Sequence, residues 1–229
     1  MNVRNIISKT KRDYNIIAKH FSDKRQYLWE ELKPFLTYVK KNNTVLDVGC
    51  GNGRLYGELK KRKIKYLGLD YSDKLLKIAK KHYPKAKFKN LDISKTKSWK
   101  NITNFDISFC LAVLHHFPTK KSQLAVLYQI YKSLKPKGIL ILSVWNLWQT
   151  KYWQMHMDNL GWKLVKGFKL RWIKVPYKIS DGVKVIKRVN RFCYCFSLRE
   201  LEDLLQAAGF TILEKKTGKN LCLVAKKLV

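Results

Sequence analysis

The segment Val45-Leu46-Asp47-Val48-Gly49-Cys50-Gly51-Asn52-Gly53 constrains this chain more than any other. It reads as a buried β-strand that runs into three glycines and then into a helix. Glycines at a strand-to-helix turn let backbone approach a ligand closely. Asp70 ends the next apolar run about 20 residues on, where a carboxylate can accept from both hydroxyls of a ribose. Spacing alone also admits a dinucleotide, and the bland alternative is a tight turn beside an unrelated acid.

From residue 44 onward, short β-branched runs alternate with amphipathic segments, the pattern of helices covering both faces of a parallel sheet. Apolar runs at 44–48, 66–69, 88–91, 105–111 and 139–144 read as strands, and 211–213 and 221–225 add two more. Helical spacing is clearest at 122–134 and at 198–208, the latter ending at Gly209. The expectation is an α/β fold, Rossmann-like, with a seven-stranded, mostly parallel sheet. Residues 1–43 read as an N-terminal helical cap with Tyr14, Ile17, Phe21, Leu28, Leu32 and Phe35 facing the core. Residues 44–229 form the main domain. Within it, 147–190 breaks the alternation and reads as a basic, Trp-rich insertion placed to bind substrate, with Trp148, Trp153, Trp162 and Trp172.

Charge narrows the partners. The chain carries 48 Lys and Arg against 16 Asp and Glu, a formal net of +32, which favours a polyanion. The insertion holds ten basic residues, among them Lys151, Lys163, Lys166, Lys169 and Arg171, against Asp158 and Asp181. Basic residues interleaved with aromatics suit phosphates and unpaired bases; solvated lysines over buried tryptophans, or a membrane-surface helix, are the competing readings. No run is long enough to span a bilayer and the first residues lack the apolar core of a signal peptide, so the expectation is a cytoplasmic protein without stable membrane association. Five cysteines, Cys50, Cys110, Cys193, Cys195 and Cys222, without C-x-x-C spacing predict buried free thiols.

Asp47 followed by G-x-G-x-G resembles the motif of the class I S-adenosylmethionine (SAM)-dependent methyltransferases. That resemblance implies SAM as cofactor. It gives Asp47 to the loop or the methionine ammonium, lines the cofactor with Gly49, Gly51 and Gly53, and places Asp70 on the ribose. It further sets Asp92 and Ile93 by the adenine, and Leu111 and Ala112 by the methionine.

A narrower set of motifs resembles the methyltransferases that esterify 5-carboxymethyluridine at the tRNA wobble position. The set comprises Tyr14 to Arg25 followed by Trp29, Ala112-Val113-Leu114-His115-His116-Phe117, Val144-Trp145, Val175-Pro176-Tyr177, Arg191-Phe192 and Asn220-Leu221-Cys222-Leu223. The family's Arg-Tyr-Tyr-His becomes Arg191-Phe192-Cys193-Tyr194 here, and its closing Trp becomes Leu221. This likeness implies a tRNA anticodon arm as partner and a small activating protein subunit. It implies Arg25 and Arg191 gripping a substrate carboxylate, His116 as a third catalytic residue, and His115, Trp145 and Tyr194 against the substrate. No third ligand suggests itself beside the two histidines, so no metal is expected. A small-molecule or quinone methyltransferase, or a non-catalytic RNA-binding subunit, would keep the same fold.

Overall fold

The computed structural model describes residues 3–160, 171–180 and 183–228. Trp162, Lys163, Lys166, Lys169 and Asp181 of the expected basic insertion lie outside the described residues.

Every strand of the expected sheet forms, in chain order β1 (Thr44–Val48), β2 (Lys65–Asp70), β3 (Lys87–Asn90), β4 (Phe105–Leu111), β5 (Leu134–Trp145), β8 (Phe210–Thr217) and β9 (Asn220–Lys227). They line up as β3-β2-β1-β4-β5-β9-β8. Pairing is parallel from β3 through β5 and antiparallel at β9 and β8. β1 lies between β2 and β4, so strand order reverses there and a crevice opens beyond the carboxyl ends of β1 and β4, where ligands of open α/β sheets bind.

Period-two alternation explains why both faces need cover. In β5, Leu140, Leu142 and Val144 enter one core while Ile141 enters the other. The first core is closed by α4 (Lys120–Ser133) and by the helix Leu198–Ala207, through Val126, Leu127, Ile130, Leu201 and Leu205. The second is closed by Leu28, Leu32, Phe35 and Val39 around a 3-10 segment and by α2 (Arg54–Leu59). Both long helices begin with side-chain caps. Thr119 and Ser122 form one capping box, and Ser197 and Glu200 the other.

The helical reading of the N-terminus is seen as α1 (Val3–Lys24). Ile17 is fully buried, whereas Tyr14 and Phe21 turn toward the crevice. α1 rests on α3 (Asp73–His82), where Asn15 Oδ1 accepts from the hydroxyl of Ser72, the N-cap of α3. The five cysteines are free and buried.

Residues 147–190 hold more order than the sequence suggests. After the short α5 (Trp153–Asp158), β6 (Trp172–Ser180) and β7 (Val185–Tyr194) form a separate antiparallel ribbon. Pro176 sits inside β6, which a two-stranded ribbon tolerates because each strand has a free edge. The ribbon runs on to Tyr194, so Arg191 is a strand residue. The helix Leu198–Ala207, α6 in chain order, is fastened to the ribbon by Glu200. Its carboxylate accepts from Arg171 at 2.5 Å and from the Tyr194 hydroxyl at 3.0 Å.

Candidate active site

The crevice at the reversal of strand order is a cavity of about 1220 Å³, mouth included. That exceeds the roughly 300–1,000 Å³ of a typical small-molecule site. Its floor is the glycine loop. Gly49 has φ +77°, and a Cβ there would lie 2.2 Å from Val113 Cγ2. Gly51 has φ +56°, with nothing within 4 Å of where its Cβ would be, so its backbone stands bare toward the cavity. Gly53 differs. It turns the chain into α2, and a Cβ would press on Tyr83 and Phe88 at 3.0 and 3.1 Å, so packing rather than a ligand requires it.

Two carboxylates flank this loop. Asp70 accepts from the Gly51 N–H and the Ser72 N–H, both at 2.8 Å, so it fixes the loop and keeps lone pairs for a diol. Burial pushes its pKa up against those stabilising hydrogen bonds. Asp47 is 3 % exposed and accepts from the Tyr66 hydroxyl at 2.7 Å; burial raises its carboxyl to about 7. Asp92, at the far end, accepts from both the N–H and the hydroxyl of Ser94. Ile93, Leu111 and Ala112 complete this wall. Ala112 takes a left-handed φ of 58°, uncommon for a residue with a Cβ, as β4 turns into the His115-His116 segment.

The opposite wall comes from α1 and the ribbon. Arg191 is 5 % exposed, yet no carboxylate lies within ion-pair distance among the described residues, and its Nε has no hydrogen-bond partner. The nearby Asp13 is taken by Lys9 at 2.6 Å. The guanidinium stacks over Trp145 at 4.8 Å and over Tyr177 at 5.1 Å. Arg25 adjoins Tyr177 as well. His116 joins the two walls. Its Nδ1 lies 3.0 Å from the Phe192 carbonyl, which only accepts, so Nδ1 carries the proton and Nε2 accepts from the Tyr14 hydroxyl at 3.0 Å. Burial lowers its pKa to about 4, keeping the ring neutral.

Two residues expected to touch substrate do not line the cavity. His115 is fully buried and stacks behind Trp145 at 4.8 Å. Tyr194 points away, because β7 alternates: Arg191 and Cys193 share one face, while Phe192 and Tyr194 share the other and pack on Trp172. The sequence reading missed Tyr14, Trp29, Arg54 and Tyr177 as cavity residues. It also missed Cys193, whose thiol stands with His115 and His116 so that the donor atoms lie within 4.8 Å of one another. Both His116 nitrogens are already engaged and Arg191 adjoins all three residues, which disfavours a dication there.

The model of the methyltransferase domain family matches residues 21–215. The tRNA (carboxymethyluridine(34)-5-O)-methyltransferase of Schizosaccharomyces pombe is 27 % identical over 208 residues, 88 % of each chain. The Saccharomyces cerevisiae protein of the same name is 32 % identical over 136 residues, 59 % of this chain and 47 % of that one. Against the Xenopus tropicalis relative, likewise 32 % identical, the match spans only 21 % of the longer protein. Among solved structures, a SAM-dependent methyltransferase from Methanosarcina mazei superposes with a TM-score of 0.69 at 18 % identity, over 89 % of this chain and 99 % of that one. A Haloferax volcanii methyltransferase solved with the Trm112 methyltransferase activator gives 0.63 at 15 % identity, over 93 % and 97 %.

Proposed function

Because the chain belongs to the methyltransferase domain family and is a SAM-dependent methyltransferase, we propose that it esterifies the carboxylate of a carboxymethylated wobble uridine in tRNA. The observation that carries this reading is Arg191. A buried guanidinium without a carboxylate, held between two aromatic faces at the cavity wall, is a receptor for a carboxylate brought by a ligand. The names of the relatives support the acceptor, and the net charge of +32 suits a nucleic acid.

The residues present fit the cofactor: bare backbone at Gly51, unspent lone pairs on Asp70, and Asp47 beside the loop. Bound there, SAM supplies a methyl group activated by a sulfonium. The chain's own residues position and desolvate. The acceptor carboxylate is ionised near neutral pH, so no general base is required. Arg191 and Arg25 hold it, and Trp145 and Tyr177 exclude water around it. Tyr14 and His116 keep the wall rigid through a single defined tautomer, with His116 serving as a hydrogen-bonding group rather than a proton carrier. Asp92 and Ile93 are assigned to the adenine side, Leu111 and Ala112 to the methionine side.

We assign the anticodon arm to the basic face around the ribbon, and a small activator of the Trm112 kind as partner, on the strength of the Haloferax volcanii neighbour. A cytoplasmic location accords with that substrate. No helix among the described residues is long and apolar enough to cross a membrane. The test is to incubate the protein, with and without such an activator, with labelled SAM and unfractionated tRNA, then analyse the nucleosides. Label in a carboxymethyluridine ester that mild alkali releases is the expected result. Label confined to alkali-stable nucleosides, or to none, overturns the proposal.

A further inference from the structure

Arg54 follows the last glycine of the loop and lines the cavity, and no expectation from the sequence included it. Its Nη1 is shielded from solvent and has no hydrogen-bond partner, and no carboxylate lies within ion-pair distance among the described residues. The Trp29 ring stacks on the guanidinium at 4.5 Å and leaves its edge free. Burial lowers its pKa to about 10, helped by the neighbouring Arg25 and opposed by Asp47. A buried cationic donor left without an acceptor is costly. Asp47 is near enough for the two charges to sense each other, yet they do not pair.

Two opposite charges, buried on either side of a glycine loop and kept apart, match a zwitterion. We propose that Arg54 and Asp47 form the receptor for an α-amino acid head group, with Arg54 binding the carboxylate of the methionine part of SAM and Asp47 its ammonium. This rests on the cofactor reading and not on the identity of the acceptor. The cavity's arginines then divide by ligand. Arg54, oriented by Trp29, serves the cofactor, and Arg191, between Trp145 and Tyr177, serves the substrate. The two positively charged stations lie on different walls, so neither carboxylate needs to displace the other.

Calorimetry without tRNA tests the division. S-Adenosylhomocysteine carries the amino acid head, whereas 5′-methylthioadenosine has the same nucleoside and thioether without it. Arg54→Gln should weaken S-adenosylhomocysteine by roughly 10- to 100-fold, the worth of a charge-assisted hydrogen bond, and leave methylthioadenosine within about twofold. Arg54→Lys should recover part of the loss. Trp29→Leu, which keeps the charge and removes the stacking face, should weaken S-adenosylhomocysteine alone by several-fold. Equal weakening of both ligands, or of neither, overturns the assignment; so does unchanged S-adenosylhomocysteine affinity with lost methyl transfer, which would move Arg54 to the acceptor. A wild-type protein that binds neither nucleoside would bring down the cofactor reading itself, a result distinct from failure of the Arg54 variants.

Discussion

The two walls of the cavity are made by different means. Along β1 and the loop after it, the surface a ligand meets is mostly backbone, bent into left-handed conformations that glycine adopts freely, with acids close by in sequence. On the ribbon side the surface is side chains, and Tyr14, Trp145, Tyr177 and Arg191 converge from positions scattered over most of the chain. A backbone site tolerates little change at its glycines but much around them. A side-chain site can change its acceptor by single substitutions while the cofactor half stays as it is.

The sharpest break between the walls should come from Arg191→Lys. Lysine keeps the charge but not the two parallel hydrogen bonds, so methyl transfer to carboxymethyluridine-containing tRNA should fall on the order of 100-fold. SAM affinity, read by calorimetry, should stay the same. Full turnover by this variant would return Arg191 to the status of a solvated cation.

Next in size is Asp70→Ala. It removes the diol acceptor and also frees the Gly51 N–H, so SAM affinity should drop by roughly 10-fold or more in a protein whose melting curve still shows cooperative unfolding. Equal affinity in a folded variant would take the ribose away from Asp70.

A smaller effect follows from Asp47. Its folded carboxyl sits near 7 because of burial, above the unfolded value, so the native state holds a proton that the unfolded chain has released between about pH 4 and pH 7. This group therefore lowers stability as pH rises through that window. Ligand binding has the opposite sense, because an ammonium beside Asp47 favours the carboxylate. SAM affinity should rise several-fold from pH 6.5 to pH 7.5, with proton release visible as a dependence of binding heat on the buffer. Asp47→Asn should abolish that release; a release that survives the change assigns the proton elsewhere.

The smallest effect concerns Arg171, one of the cations that the basic insertion offers to phosphates. It is committed to Glu200, and a pair this exposed contributes less than about 1 kcal/mol. Arg171→Gln should lower stability slightly and leave the salt dependence of tRNA binding unchanged. A flatter slope of log K against log salt would show that Arg171 reaches RNA after all.

The contrast between the walls also explains what could be read from the sequence. Strands β1 to β5, β8 and β9 announce themselves through apolar alternation, and the glycine loop through residue types that few other structures require. The ribbon β6–β7 does not, because its strands mix lysines with aromatics, include Pro176 and leave Val185 and Ile186 exposed. Arg191 and Trp145 were accessible only through likeness to a family. The outward turn of Tyr194 was legible in principle, since Arg191 in a strand sends residue 194 to the opposite face, but the strand itself went unseen. Arg54 carried one signal, its place directly after Gly53, and nothing in its neighbours distinguished it from a surface cation.

The tie between α1 and the ribbon bears on how the chain assembles. Lys9 donates to the carbonyl of Asn190, 181 residues away, and His116 reaches Phe192 across 76. During synthesis the glycine-loop half, β1 through β5, can pair from local contacts while the ribbon is still unmade. α1 emerges first and finds α3 early, yet its partner on β7 exists only once nearly the whole chain is present. Contacts of such high sequence separation close slowly. The cofactor half can thus stand as a folding scaffold, and the acceptor wall is the last part of the molecule to be assembled.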